Sequence, residues 1–473
     1  MLKSVNNIRR RESNMRFPRA VVGLAVSLLL PAAICAQGLF ENAVNGGSDS
    51  VSGDKPSKAL TIGGYVKGAL FGGRDSVNNT VVSGSYAQAA LKLNAEKTGI
   101  GRAFAEVRLN AGNNRGTAFA ALDVREAWGD VSPGPFDIRL GRQIINWGRA
   151  DAINPTNNIT PMDETVLSSE YDDTRMGNEL LQVKAKLGLA SIQGIWVPWY
   201  RPDAIPLMGA KIPAGITIAD PVYPDVRFTS GGYALRLEYN GSSLDGSVSY
   251  FNGYAPLPGF DYALSQTGLS LIPRAYRMHA TGADFSTAIG SFGLRGEAAV
   301  KYPFDDNNND YNKDVYMPNP YAQYVLGLDK SIGNWSVLIQ YSGLYVINYK
   351  KIEVPMLIDP FDPVAQGYYA SALAAAEIKR LNRLFTGTAD EFSHSLTGNI
   401  QWNTLHETLH LKMAGMYDFT TKDYVINPSA SYDIADAISL EVGGRYLQGP
   451  EGNLNNMISN LMSFVYTELK WSF

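Results

Sequence analysis

Leu461-Met-Ser-Phe-Val-Tyr-Thr-Glu-Leu-Lys-Trp-Ser-Phe473 is the last segment of the chain, and its side chains alternate in character along its length. Positions 465, 467, 469, 471 and 473 read Val, Thr, Leu, Trp and Phe, whereas the positions between them are mostly polar or charged. A period of two is the pattern of a β-strand with one apolar face and one wet face. A barrel wall in a membrane needs that separation. We expect the terminal Phe473 to be an assembly signal, read by the barrel-assembly machinery through this strand.

The start of the chain predicts export. Arginines at positions 9, 10, 11, 16 and 19 precede an apolar run from Ala20 to Ile34, and Ala36 supplies a small residue for cleavage, which is the order of a secretory signal peptide. We expect residues 1–36 to be this signal, residues 37–59 a flexible periplasmic segment, and residues 60–473 the barrel. Cleavage after Ala36 removes the one cysteine of the chain, and with it any disulfide framework or thiol nucleophile.

Composition narrows the class further. Hydrophobic residues make up 45% of the chain, yet no apolar run after the leader is long enough to span a bilayer as a helix, which excludes a helical membrane protein. The formal net charge is -4, and the leader carries more basic than acidic residues, so the exported chain is more acidic still. This balance argues against nucleic acid as a partner.

Alternating segments follow one another along the rest of the chain and predict an all-β fold. We expect a transmembrane antiparallel β-barrel of about 18 strands, within a range of 16–18. Every second connection is a tight turn and the others are mostly longer, which places short turns in the periplasm and long loops outside. Both termini are then periplasmic. The expected strands are 60–72, 83–96, 100–111, 118–131, 135–146, 179–188, 190–200, 230–240, 243–253, 274–287, 291–302, 321–331, 334–347, 391–402, 407–418, 423–433, 437–448 and 461–473.

The charged residues of these strands share one face, and the apolar residues share the other. Repeated charges in a dry core would cost several kcal/mol each unless paired, so the charged face is expected to line a watered lumen. The alternative is a soluble β-sandwich or barrel, or a repeat protein, with its apolar face inside. The exported N-terminus, the terminal aromatic strand and the Tyr and Trp residues at strand ends favour the membrane. The residues expected to face the lumen include Arg102, Glu106, Arg108, Lys184, Lys186, Arg236 and Glu238.

A motif lies where the fifth strand runs into a long loop. It has the form Gly-Arg-Gln-x-x-x-Trp-Gly-x-x-Asp-x-x-Asn-Pro and comprises Gly141, Arg142, Gln143, Trp147, Gly148, Asp151, Asn154 and Pro155. This pattern resembles a family of bacterial outer-membrane porin-like β-barrels catalogued by a domain of unknown function. The resemblance implies a transport barrel, and some relatives are linked to movement of hydrophobic compounds beside inner-membrane pumps.

The loop that follows the motif is a candidate constriction. Arg142, Arg149, Asp151 and Asp163 would form a charged ring if the loop folds into the lumen, and such rings sort solutes by charge. A structural role is the alternative, in which Arg142 pairs with Asp151 to hold the shape of the loop.

Two further segments bear on function. Residues 366–385 are rich in Ala and Leu at helical spacing, so a loop helix is expected; it could cap the mouth, enter the pore or pack on a neighbouring chain.

His406-Glu407-Thr408-Leu409-His410 matches the H-E-x-x-H pattern of zinc proteases, but that chemistry needs a helix. Alternation from Leu409 onward indicates a strand, in which residues four apart lie about 13 Å from each other. We therefore expect no enzyme activity, no metal and no cofactor.

The sequence leaves three functions to compare. An outer-membrane channel for passive passage of small solutes is the first; a barrel that exports or takes up hydrophobic compounds with an inner-membrane pump is the second. The third is a non-conducting barrel that adheres or interacts through its loops. The expected partners are outer-membrane lipid, the assembly machinery, and a small solute or hydrophobic compound, whereas the solute itself, the direction of transport and the oligomeric state stay open.

Overall fold

A computed structural model describes residues 60–473 except 76–77, 152, 206–214, 229, 266–267, 305–310 and 312–313. The expected signal peptide and periplasmic segment, residues 1–59, lie outside the described residues. The strands are β1 (Leu60–Arg74), β2 (Thr80–Lys97), β3 (Gly101–Asn114), β4 (Thr117–Val131), β5 (Phe136–Gln143), β6 (Asn178–Leu187), β7 (Ala190–Val197), β8 (Ile216–Ile218), β9 (Gly232–Asn240), β10 (Leu244–Tyr254), β11 (Gly259–Ser265), β12 (Gly268–Arg274), β13 (Arg277–Ile289), β14 (Phe292–Phe304), β15 (Tyr321–Ile332), β16 (Trp335–Val346), β17 (Phe392–Thr404), β18 (Leu409–Asp418), β19 (Tyr424–Ala435), β20 (Ile438–Gln448) and β21 (Phe464–Ser472).

All strands except β8, β11 and β12 join one antiparallel sheet of 18 strands. Each strand pairs with the next along the chain, and β21 pairs with β1 to close the sheet. Gly64 and Phe473 complete the closure, because each backbone N–H donates to the other residue's carbonyl oxygen at 3.0 Å. The prediction of a transmembrane antiparallel β-barrel of about 18 strands is confirmed.

The outer surface of the barrel is apolar, as the alternation predicts. In β21 the outward side chains Val465 and Trp471 are 66% and 56% exposed, whereas Tyr466 and Glu468 between them are buried on the inner face. The same sidedness holds in β3, where Leu109 is exposed and Arg108 is buried. Outward apolar side chains and inward charges place the oily surface where acyl chains would contact it.

Connections at the two ends of the barrel differ in length. The end where β1 begins and β21 finishes carries the short turns, such as the Gly188-Leu189 turn between β6 and β7. The opposite end carries most of the chain outside the wall, including two helices, α1 (Pro363–Thr386) and α2 (Leu454–Met462). The predicted loop helix is confirmed by α1, which starts with the Asp362 side chain accepting from the Val364 N–H and ends at Gly387 in the left-handed region.

Sequence reasoning missed α2 and the small sheet of β8, β11 and β12. These short elements carry too few residues for their periodicity to stand out. The small sheet lies under α1: the Asn382 amide accepts from the Phe260 N–H and donates to the Phe260 carbonyl, both at 2.8 Å. Among the described residues, no helix is long and apolar enough to cross a membrane.

The H-E-x-x-H segment is divided between a turn and a strand. Leu405, His406 and Glu407 all have positive φ in the turn between β17 and β18, and His410 lies in β18. The prediction that the second histidine belongs to a strand is confirmed. The His410 ring instead contacts Asn403 and Asp433 on the two neighbouring strands.

Candidate functional site

Residues 144–177, the connection from β5 to β6, fold into the lumen; we call this segment the lumen loop. Its apolar side chains pack inside the barrel, where Ile145, Trp147 and Ile159 form a buried cluster with inward residues of the wall. The Trp147 indole N–H donates to Gln193 of β7 at 2.9 Å. The loop therefore has an apolar anchor on the β7 side and extends from it across the lumen.

The motif residues build the turn that docks on the wall. One carboxylate of β14, Glu297, accepts from the backbone N–H of Arg149 and Ala150 at 3.1 Å and from the N–H of Thr156 at 2.7 Å. Gly148 has φ +96°, and a Cβ there would lie 2.2 Å from the Asn154 side-chain oxygen and 2.4 Å from Glu297 Oε2. Only glycine fits this position, so the motif shapes a backbone nest around a wall carboxylate.

Arg149 holds the same end of the loop through charge. Its Nε donates to Asp284 of β13 at 2.8 Å, and its guanidinium lies 3.5 Å from Glu238 of β9. Arg236 shares Asp284 at 3.3 Å, and Lys184 reaches Glu238 at 3.0 Å. These inward charges satisfy one another across neighbouring strands, which is how charged groups are tolerated in a confined lumen.

Asp151 forms a separate pair. Its carboxylate accepts from Arg295 of β14 at 2.7 Å, and Arg295 also lies 3.2 Å from Asp329 of β15. Burial raises the pKa of Asp151 to about 6, although Arg295 acts to lower it. Asp151 therefore changes charge in a mildly acidic range, which an exposed aspartate does not do.

The opposite end of the loop carries a second ion-pair cluster, centred on Asp173. Lys67 of β1 donates to Asp173 at 2.6 Å, Arg108 of β3 at 2.8 Å and Arg125 of β4 at 3.4 Å. Burial alone would raise the pKa of Asp173, but Lys67 and Arg108 hold it well below its ordinary value. Next to this cluster, Lys470 of β21 reaches Glu170 at 2.7 Å. The loop is thus tied to the wall on two opposite sides of the lumen.

The two ends of the barrel contain different cavities. A cavity of about 1280 Å³ reaches the short-turn end, where Gly64 and Ser472 line it. A cavity of about 490 Å³ lies on the other side of the loop, beside β2, β3 and β4. Arg108, Arg125 and Asp173 line both cavities. The Asp173 cluster therefore lies at the partition between them.

The sequence-predicted constriction residues do not form one ring. Arg149 and Asp151 contact the wall of β9, β13 and β14, as described above. Asp163 lies in a turn, where its carboxylate accepts from the Thr165 N–H at 2.9 Å. Arg142 lies on the outward face of β5 together with the exposed Leu140, and it pairs with Glu179 of β6. The alternative pairing of Arg142 with Asp151 is wrong, because both residues have other partners.

The residues expected to face the lumen have charged partners. Glu106 accepts from Arg108 at 2.6 Å, and Arg102 reaches Asp130 at 2.9 Å. Lys186 pairs with Asp137 at 2.8 Å near the short-turn end. Sequence reasoning missed the residues that hold the loop: Lys67, Arg125, Asp173, Asp284, Arg295 and Glu297. The acidic run Glu170-Tyr-Asp-Asp173 in a long loop was the one local signal for them.

Comparisons with known proteins agree with this architecture. The sequence profile of the family described as "Protein of unknown function (DUF1302)" matches residues 72–454. The fold is similar to that of the outer membrane protein opdK from Pseudomonas aeruginosa, with 9% identity, 88% of this chain and 98% of that chain covered, and a TM-score of 0.51. OccAB2 from Acinetobacter baumannii gives the same identity, coverage and TM-score. A comparison with curated protein sequences gave no match.

Proposed function

The chain belongs to the family described as "Protein of unknown function (DUF1302)", and on this premise we propose that it is an outer-membrane channel for passive passage of small solutes. Its sequence resemblance to a porin-like family is confirmed at the level of the barrel, while the motif itself stays a prediction. The proposal includes a periplasmic position for both termini. The short turns at the end where β1 begins and β21 finishes support that orientation, because outer-membrane barrels keep short turns in the periplasm.

The observation that carries the proposal is the polar lumen divided by the lumen loop. The cavity of about 1280 Å³ is lined by charged side chains, which include Lys92, Arg125, Glu126 and Arg295. A barrel that served only to anchor external loops would not need a charged cavity of this size. Charges beside a watered cavity are favourable when solutes or ions pass, since they replace part of a solute's hydration. The Asp173 cluster at the partition is the expected selectivity element, because both cavities share it.

The test is ion conductance of the purified barrel in planar lipid bilayers. We expect single-channel steps from the wild type, and we expect Asp173→Asn to shift the reversal potential toward anion preference. The reason is that the substitution leaves the charges of Lys67, Arg108 and Arg125 without their shared carboxylate. Asp225→Asn is the matched control: it removes an exposed carboxylate whose one ion-pair partner among the described residues is Arg227, and the reversal potential should not change.

A barrel that passes no ions in any variant would contradict the proposal and favour the adhesion or interaction function. Equal ion preference in Asp173→Asn and the wild type would remove the selectivity role from the Asp173 cluster. Cooperation with an inner-membrane pump stays a prediction of the family resemblance.

A further inference from the structure

The strand β4 has a free edge. It pairs with β3 along nearly its whole length, from Thr117 to Asp130, but its ladder with β5 covers only residues 127–131. Among the described residues, no strand continues that second ladder along residues 117–126. Gly177 of the lumen loop lies against the Arg125 carbonyl, so the uncovered stretch is residues 117–124, about 26 Å of strand. The wall therefore has a lateral gap in its upper half, which we call the β4 gap.

The gap follows from the course of the chain. β5 leaves the wall at Gln143, the lumen loop turns inward, and β6 enters the wall at Asn178, paired with Gln143. A free strand edge within the hydrocarbon region is costly, because its backbone N–H and C=O groups lack water. Such an edge is tolerated where it lines a water-filled cavity or is met by other polar groups. One such group is present: the Arg142 guanidinium donates to the Val124 carbonyl at 2.9 Å.

Charged groups lie on the outward face at the foot of the gap. Leu140 and Leu181, which pair with each other, mark the outward face of β5 and β6, and Arg142 and Glu179 pair two residues further along that face. An arginine facing lipid costs about 2–4 kcal/mol at the midplane of a bilayer. This outward ion pair therefore makes the wall polar beside the gap, on an outer surface that is mostly apolar.

The gap leads to the cavity of about 490 Å³ described above. Phe119 and Ala121 on the inner face of β4 line this cavity, and so does Leu122. Leu122 belongs to the outward face, paired with the outward Leu109, and is 70% exposed. This cavity therefore extends to the edge of β4 that no other strand covers, and that edge is where we place the connection between the lumen and the outer surface of the barrel.

The lining of this cavity holds four arginines against three aspartates, beside apolar side chains, which suits a molecule with an apolar body and an anionic end. Leu167, Met176 and Phe119 supply apolar surface. Arg115, in the turn between β3 and β4, also lines it and donates to the Leu461 carbonyl at 3.2 Å and to Met462 Sδ at 3.6 Å. Within the described part of the chain no carboxylate lies at ion-pair distance from Arg115, and burial lowers its pKa. An anion from outside the chain would complete this site.

We propose that the β4 gap is a lateral entrance through which a single-chain anionic amphiphile, such as an alkyl carboxylate, passes between the outer leaflet and the lumen. This inference rests on the proposed function, since it names a solute class and a route for the same lumen. The apolar body follows Leu122 and Phe119 around the strand edge, and the anionic end meets Arg115. The Arg142 and Glu179 pair keeps the foot of the gap polar.

The test uses a small bimane fluorophore on single cysteines, in the full chain with Cys35 replaced by Ser and reconstituted into phosphatidylcholine vesicles. Ala121→Cys reports on the cavity behind the gap. Ser429→Cys is the closed-wall control, because β18 and β20 pair with Ser429 on both sides. Leu326→Cys is the lipid control, since its side chain is outward and 49% exposed. Nitroxide-labelled stearic acid is the amphiphile probe, and nitroxide-labelled phosphatidylcholine is the lipid probe.

We expect the stearic acid probe to quench the label at 121 at least threefold more than the label at 429, and the phospholipid probe to quench strongly only at 326. Arg115→Gln should reduce quenching at 121 by the acid. Equal quenching at 121 and 429 would overturn the lateral entrance, and phospholipid quenching at 121 as strong as at 326 would overturn it by showing plain exposure to lipid. Conductance of the same samples is recorded separately: its absence overturns the channel function, whereas missing quenching at 121 overturns the entrance alone.

Discussion

Single residues of the lumen loop are fixed by contacts that one added atom or one lost charge would change. Gly148 lies between Asn154 and Glu297 with no room for a Cβ, and Asp151 carries its charge beside Arg295 in a buried place. Both belong to the motif, and both act on the wall of β14. The motif therefore attaches the lumen loop to β14, and the buried surroundings of Asp151 set the pH at which its carboxyl group is charged.

Gly148→Ala should loosen the loop. The added Cβ would lie under 2.5 Å from two oxygen atoms at φ +96°, and we expect a loss of about 2–3 kcal/mol in the free energy of unfolding. Gly188→Ala is the control, because Gly188 also has positive φ but its Cβ would meet open space; it should cost about 1 kcal/mol. Denaturant unfolding in detergent measures both, and equal losses would contradict a steric role for the nest.

Lowering the pH from 7 to 5 should move ion preference toward anions, because Asp151 takes up a proton near its raised pKa of about 6. The folded-state value lies above the ordinary 3.8, so the folded protein binds this proton more tightly than the unfolded chain. Asp151 therefore makes the free energy of unfolding fall as the pH rises from about 4 to about 6. Reversal potentials at the two pH values measure the change in preference, and a wild-type shift no larger than that of Asp151→Asn would refute the assignment.

Among the secondary-structure elements, the short strands β5 and β6 have the largest effect on the shape of the lumen. They are 8 and 10 residues long, against 15 in β4, so the chain leaves the wall early and has 34 residues for the lumen loop. The same shortness produces the β4 gap.

The helix α1 covers the small sheet at the long-loop end of the barrel. Its residue Phe385 lines a cavity of about 270 Å³ together with Asp151 and Asn154.

Asn382→Ala should release α1 from the small sheet. The buried amide makes three hydrogen bonds of 2.8 Å, to the Phe260 N–H and to the carbonyls of Phe260 and Val315, and unpaired buried groups cost about 1–3 kcal/mol each. Hydrogen exchange of the α1 amides should accelerate at least tenfold while the barrel strands keep their protection. Gln366→Ala on the exposed start of the helix is the control; equal acceleration in both variants would point to fraying of the helix itself.

At the scale of the whole molecule, the barrel closes through its last residue. Phe473 exchanges two hydrogen bonds with Gly64, and its ring is 60% exposed on the outer surface. The closing strand brings Glu468 to 3.6 Å from Lys67, so it also supports the Asp173 cluster. The assembly role of this residue stays a prediction.

Deletion of Phe473 should reduce the amount of protein in the outer membrane of a Gram-negative host at least fivefold, if the assembly machinery reads the terminal aromatic residue. Phe473→Tyr keeps an aromatic end and should assemble like the wild type. Refolding of each purified variant into detergent separates recognition from stability: a deletion variant that also fails to refold would assign the loss to barrel closure.

Local patterns in the sequence specify the strands of the barrel wall, their sidedness, the loop helix α1 and the place where the chain leaves the wall. These features are local, because alternation along β21 or helical spacing along α1 can be read within a dozen residues. Only the folded barrel shows that Asp173 contacts Lys67, 106 positions away, that Arg142 faces outward, and that β4 has a free edge. These three features depend on the register of every strand around the closed sheet and on the path of the lumen loop through the barrel. Neither can be inferred from a short stretch of sequence.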